Sequence, residues 1–234
     1  MEDIRLIETV KKNTEEILDL IKSAALSAGR NSDDIELMAV TKTKPAEYAE
    51  AAYSAGIRLF GENRVSEMEE KFTQFHDDSR IHLIGHMQRN KAKKAAAVAD
   101  SIDSIDKYET AFELDKWCSS YNRHINILLE FNTSGEDSKS GFSDENQLFE
   151  AVDKIRELKN LTIEGLMTIA PFTEDETAIR KSFRLLASLK EKLKSRHSDL
   201  SWKTLSMGMS SDFKIAIEEG STIIRIGTKL FGSR

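Results

Sequence analysis

Apolar and polar positions change period in a regular beat along the chain. Between Glu2 and Ser27, residues Ile4, Ile7, Val10, Ile17, Leu18, Ile21 and Ala25 recur at helical spacing. This predicts one long amphipathic helix with Gly29 as its C-terminal cap. Short apolar runs then alternate with helical patterns. Strands are predicted over Ile35–Thr41, Ile57–Gly61, Ile81–Gly85, Ser101–Ile105, Ile125–Phe131, Leu161–Ile169, Thr204–Met207 and Thr222–Ile226, the fourth by the weakest pattern. Helices are predicted over Glu47–Ala55, Val65–Phe75, Arg89–Ala99, Tyr108–Tyr121, Asp144–Leu158, Glu176–Arg196 and Ser211–Glu219. Eight strand–helix units at this length point to the α/β class, a single (β/α)8 TIM barrel over residues 1–234 with the first helix packed outside it. No linker or low-complexity stretch divides the chain. The longest loop, Asn132 to Phe142, is polar and is expected to cover a site as a lid.

Composition narrows the class. The chain has 234 residues, a formal net charge of −6 and one cysteine. The acidic balance argues against general nucleic-acid binding. A lone cysteine, Cys118, forms no internal disulfide and fits a reducing cytoplasm. It lies in a helical pattern beside Trp117, where a packed thiol is the expectation. No apolar run reaches membrane-spanning length, and the first residues carry no signal-peptide pattern.

In a barrel of this kind the chemistry sits at the carboxyl ends of the strands. The first strand ends Val40-Thr41-Lys42-Thr43-Lys44-Pro45. A lysine at the mouth of a buried strand stands where apolar walls favour a neutral, nucleophilic amine. Lys42 is therefore a candidate to carry a cofactor aldehyde as a Schiff base, and the plain alternative is a solvated lysine. The last two strands end in Ser206-Met207-Gly208-Met209-Ser210 and Arg225-Ile226-Gly227-Thr228, where barrels recurrently bind phosphate. Ser210, Ser211 and Thr228 offer hydroxyls and Gly227 a close backbone approach, although Ser210 and Thr228 also suit ordinary helix caps. Arg225 interrupts an apolar strand, so it is either a paired structural arginine or a guanidinium aimed at a ligand. The five histidines show no metal-ligand spacing. The basic run Arg89–Lys94 reads as a solvated helix face, with anion contact as the alternative.

These motifs together resemble the YggS/PROSC family of pyridoxal 5′-phosphate (PLP) homeostasis proteins. The resemblance is carried by Thr41–Pro45, Phe60-Gly61-Glu62-Asn63, His82–Lys91, Ser138-Lys139-Ser140-Gly141, Gly165-Leu166-Met167, Ser206–Ser210 and Arg225–Thr228, in family order over nearly the whole chain. It implies a barrel of the alanine-racemase type, fold type III among PLP proteins. It also implies that Lys42 forms the internal aldimine, that Arg225 faces the pyridine nitrogen, that Ser210, Gly227 and Thr228 hold the phosphate, and that Ser206 and Asn63 line the site. One motif departs: the family often has proline where His86 stands, which leaves the backbone after the third strand open.

An arginine at the ring nitrogen keeps that nitrogen unprotonated and makes the ring a poorer electron sink. Racemases of this fold also use a tyrosine from a second domain. Here Tyr48, Tyr53, Tyr108 and Tyr121 all lie in helical patterns away from the strand mouths, and no second domain is expected. The expectation is a monomeric, cytoplasmic PLP carrier and regulator serving PLP-dependent apoenzymes, with no metal and no robust catalysis. A PLP-dependent amino-acid racemase is the alternative. A Schiff-base aldolase and an interaction protein with a vestigial barrel are further rivals.

Overall fold

The computed structural model describes residues 2–136 and 139–232; Met1, Asp137, Ser233, Arg234 and the Ser138 of the Ser138–Gly141 motif lie outside the described residues. The first helix, α1 (Glu2–Ser27), has the predicted bounds. It stops in a Schellman turn: Gly29 sits at φ 66°, its N–H reaching Leu26 O at 3.1 Å while the Arg30 N–H reaches Ala25 O at 2.8 Å. Glycine takes that left-handed position without a side-chain penalty.

Then come β1 (Glu36–Val40), α2 (Ala46–Ser54), β2 (Leu59–Glu62), α3 (Val65–Phe72), β3 (Arg80–Leu83), α4 (Ala92–Val98), β4 (Ser101–Ile105) and α5 (Tyr108–Tyr121). The second half follows with β5 (Ile125–Glu130), α6 (Glu145–Ile155), β6 (Leu161–Met167), α7 (Glu176–Arg196), β7 (Thr204–Ser206), α8 (Phe213–Glu218), β8 (Ile223–Ile226) and α9 (Thr228–Phe231). All eight strands pair in parallel and in sequence order, and β8 closes on β1. The barrel and its extra outer helix are as expected. Most strands end one or two residues early, because their last residues turn out into rim loops. The helix after β3 is preceded by a 3-10 turn over Arg89–Lys91, and α9 is an addition to the expected elements.

Register decides which side chains face the lumen. Met38 pairs with Leu59 on one side and Arg225 on the other; Gly61 pairs with His82, His82 with Ser101, and Ser101 with Asn126. Paired residues share a face and alternate along each strand. Met38, Val40, Leu59 and Ile223 accordingly form a small inner apolar cluster, distinct from the large core between barrel and helices. Much of the rest of the lumen is polar: buried Asp103 accepts from Ser101 Oγ at 2.7 Å and lies 3.0 Å from His82 Nδ1. This explains the weak pattern of β4, whose lumen positions are Ser101 and Asp103. Outside, α1 packs across α2, α8 and α9, and Asn13 Nδ2 donates to Leu230 O at 2.9 Å.

Candidate functional site

A cavity of about 540 Å³ opens at the carboxyl ends of the strands, within the usual size of small-molecule sites. Lys42, Asn63, Ser210, Arg225, Gly227 and Thr228 all line it. Ser206 does not. It lies one layer below, fully buried, and supports Arg225 from there.

Lys42 is half-buried on the turn after β1. That turn is held from below by an ion pair out of water. The Lys71 ammonium, on α3, donates to Glu62 Oε1 at 2.7 Å and to Thr41 O at 2.8 Å. Thr41 Oγ1 donates to the same Glu62 oxygen at 2.7 Å. Burial pushes the Glu62 carboxyl up, and the bonds from Lys71 and Thr41 pull it back. On the next residue, Thr43 adopts φ 63°, and its N–H donates to Glu67 Oε2 at 2.7 Å. A β-branched residue in that region costs roughly 1–3 kcal/mol, and the bond to Glu67 on α3 offsets part of that cost.

Arg225 is 4% exposed. Its guanidinium donates to Ser206 O at 2.6 Å, Ser206 Oγ at 2.8 Å and Thr168 O at 2.7 Å. No carboxylate among the described residues lies within ion-pair distance of it. Burial lowers its pKa, against the longer-range pull of Asp103, Asp212 and Glu130. The simple salt-bridged arginine is thus not what the fold contains. Two carbonyls and a hydroxyl aim the group, and the cavity wall includes it.

Beside Lys42, on the neighbouring side of the rim, the loops after β7 and β8 form a cradle. Ser210 Oγ accepts the Lys229 N–H at 3.3 Å, tying the two loops together. Thr228 is the first residue of α9 and Gly227 its cap, so Thr228 is no N-cap; the cap of α8 is Asp212 rather than Ser210. A Cβ on Gly227 would lie 3.2 Å from Val40 O. The cradle therefore offers two hydroxyls beside a bare stretch of backbone, a donor set that suits a phosphate. Asn63 is placed by Gly85. Any Cβ there would come within 2.2 Å of Asn63 O, and only glycine lets the β2 and β3 loops approach so closely. His86, one residue on, is exposed, with Nδ1 3.2 Å from both Asp106 Oδ2 and Ser140 Oγ. The departure at that position leaves the rim intact.

Sequence reasoning passed over Glu130. It ends β5, is 5% exposed and lines the cavity. Burial, with Asp106 nearby, pushes its carboxyl up to about 7, while Arg225 pulls the other way. An acid closing an apolar run was the available signal. Asn132, where the loop after that strand was expected to begin, organises it: its Oδ1 accepts from the Ser134 and Gly135 N–H groups at 3.1 and 3.2 Å. Lys139 and Ser140 of this loop line the cavity edge.

None of the four tyrosines lines the cavity. Cys118 is buried in α5, and burial pushes its thiol up to about 11, as fits a packed group. The charged residues of the basic run are exposed, and Lys91 and Lys94 also edge a groove with Arg64. No group of three or more His, Cys, Asp or Glu among the described residues is placed to hold a metal ion, and no helix among them is long and apolar enough to cross a membrane.

The profile of the family described as alanine racemase, N-terminal domain, matches residues 18–234. A Vibrio alginolyticus protein named pyridoxal phosphate homeostasis protein is 40% identical over 233 residues, covering 97% of this chain and 99% of its own. The Escherichia coli K12 protein of the same name is 37% identical over 230 residues, covering 96% and 97%. Among solved structures, PipY of Synechococcus elongatus with PLP bound matches at TM-score 0.79 and 33% identity, covering 91% of this chain and all of that one, 100%. An alanine racemase from Clostridium difficile matches at TM-score 0.75 but 16% identity, covering 97% of this chain and 56% of that one, a likeness of fold alone.

Proposed function

The chain belongs to the pyridoxal phosphate homeostasis protein family, and from that premise we propose that it binds PLP at the rim cavity through Lys42 and holds it for supply to other proteins. The observation that carries this reading is one of placement: the Lys42 amine, the Arg225 guanidinium and the Ser210–Gly227–Thr228 cradle line one cavity at one end of the barrel.

The donor set fits the cofactor group by group. When bound, PLP supplies an aldehyde that condenses with a neutral lysine amine and releases water. Ser210, Thr228 and the backbone at Gly227 hold the phosphate. Arg225 would face the ring nitrogen and, being a fixed cation, would keep that nitrogen unprotonated. Ser206 and Thr168 aim Arg225, and Asn63 closes the side of the cavity next to β2. The β7 and β8 loops thus anchor the anion while the gripped turn after β1 presents the amine.

A carrier role follows from what accompanies Lys42. Racemases of this fold use a tyrosine as the second base opposite the lysine, and no tyrosine lines this cavity. We take residues 1–234 as one monomeric domain whose partners are PLP and PLP-dependent apoenzymes. The test is an absorbance spectrum of the PLP-loaded protein. A band at the edge of the visible range is expected, lost on borohydride reduction, with the adduct mapped to Lys42 and the band absent in Lys42→Ala. Added L-alanine is expected to undergo no steady racemisation. A band that persists in Lys42→Ala, or sustained turnover, overturns the reading.

A further inference from the structure

Glu130 is a buried carboxyl that faces the cavity, and no donor among the described residues hydrogen-bonds to it. Unlike Glu62 Oε2 and Asp106 Oδ1, its oxygens are not sealed off without a partner; they open onto the cavity. The ends of β1 and β5 stand on opposite sides of an eight-stranded barrel mouth, so Glu130 lies across the cavity from a ligand held by Lys42 and the neighbouring cradle. We propose that Glu130 is a further binding residue of this cavity, taking up a proton as an anionic ligand enters and then donating a hydrogen bond to it. This rests on the PLP reading and deepens it.

The surroundings favour that direction. Glu130 is faced by Asp106 from the β4–α5 connection and by Arg225 from β8. Asp106 Oδ1 is itself buried with no partner among the described residues, and its Oδ2 lies 3.2 Å from His86 Nδ1. Asp103 of β4, paired to His82 of β3, and Asp212 before α8 share the field of Arg225. Lys42 after β1 and Lys139 of the β5–α6 loop stand in the same cavity wall. With its carboxyl already held up to about 7, Glu130 is largely ionised above neutral pH in the ligand-free protein. A phosphate-bearing ligand adds negative charge and removes water, and both favour the protonated acid. Linkage then makes binding and proton uptake reciprocal.

The experiment uses 4′-deoxypyridoxine 5′-phosphate, which keeps the ring and phosphate but lacks the aldehyde that Lys42 would take. Calorimetric titrations at pH 8 in two buffers of different ionisation enthalpy count the protons exchanged. The full-length protein is expected to take up close to one proton per ligand more than Glu130→Gln does, because the proton shed by the ligand's ring nitrogen beside Arg225 is common to both. Between pH 7.5 and 8.5 the ratio of wild-type to Glu130→Gln affinity is expected to fall by up to about tenfold per pH unit, the limit for one linked proton. Glutamine keeps a donor at the same place, so Glu130→Gln should still bind. Asp106→Asn should shift the onset of proton uptake to lower pH. Equal proton uptake in wild type and Glu130→Gln, or a folded Glu130→Gln that no longer binds, overturns the proposal alone. Failure of the wild-type protein to bind the analogue at any pH overturns the PLP reading, and this proposal with it.

Discussion

At the scale of single residues, Arg225 shows what could be seen in the chain and what could not. A charge inside Ile223-Ile224-Arg225-Ile226 announces itself, because burial is costly unless something compensates. Its compensation was not legible: Ser206 and Thr168 come from two other strands, and only the closed register brings their oxygens to it. For the same reason Ser206 read as a lining residue when its contact is with the arginine behind the wall. Glu130 was missed for a different cause. Its neighbour Phe131 drew the strand end past it, and only the lumen-facing parity of β5 turns it into the cavity. Arg225→Gln is expected to destabilise the protein by about 3–5 kcal/mol, the usual result of removing one side of a buried charged arrangement. It removes the cation whose field Asp103, Asp212 and Glu130 share, and it leaves the Ser206 and Thr168 carbonyls without their donor. Urea denaturation at neutral pH measures this, and a loss under 1 kcal/mol would mean that those acids do not depend on it.

Elements carry the site through their ends. Helices α1, α5 and α7 were readable to the residue because long amphipathic periods leave little ambiguity. Strand ends were less so, since the residues that turn out to build the rim are themselves apolar or small. The connection between β1 and α2 is the case that matters most. Its sequence, Thr41–Pro45, displays the lysine but not the grip, which comes from Glu62 on β2 and from Glu67 and Lys71 on α3. Glu67 and Lys71 form an i, i+4 pair in sequence and so resemble any solvated helix pair. Only the packing of α3 against the barrel buries Lys71, whose side chain is 5% exposed. Lys71→Met should therefore act on both stability and function. It strands the Glu62 carboxyl in the interior and releases the Thr41 carbonyl. Expected results are a loss of about 3 kcal/mol or more and slower PLP capture by Lys42 in stopped-flow absorbance. An unchanged capture rate in the folded variant would show that the turn holds its shape without α3.

For the molecule as a whole, the number of strand–helix units was legible because the outer core is apolar and periodic, while the polar lumen was not, because it is assembled one residue per strand. That lumen makes stability depend on pH in a way that one substitution can isolate. The Glu130 carboxyl has an ordinary value of 4.5 and is held up to about 7 in the folded protein. Below pH 4.5 folded and unfolded chains both keep the proton, and Glu130 contributes no pH dependence. As pH rises from there towards 7, the unfolded chain gives up its proton while the folded one retains it, so stability is lost. Above 7 both are ionised and the loss levels off. A displacement of this size corresponds to a loss on the order of 3 kcal/mol. Glu130→Gln has no proton to lose at this position. Its stability relative to wild type is therefore expected to rise by up to about 3 kcal/mol between pH 4 and pH 8 and to stay constant beyond. Urea midpoints of both proteins across that range, taken without ligand, provide the measurement. A gap that stays constant from pH 4 to 8 would mean that the acid opposite Lys42 ionises in the folded barrel as freely as in the unfolded chain.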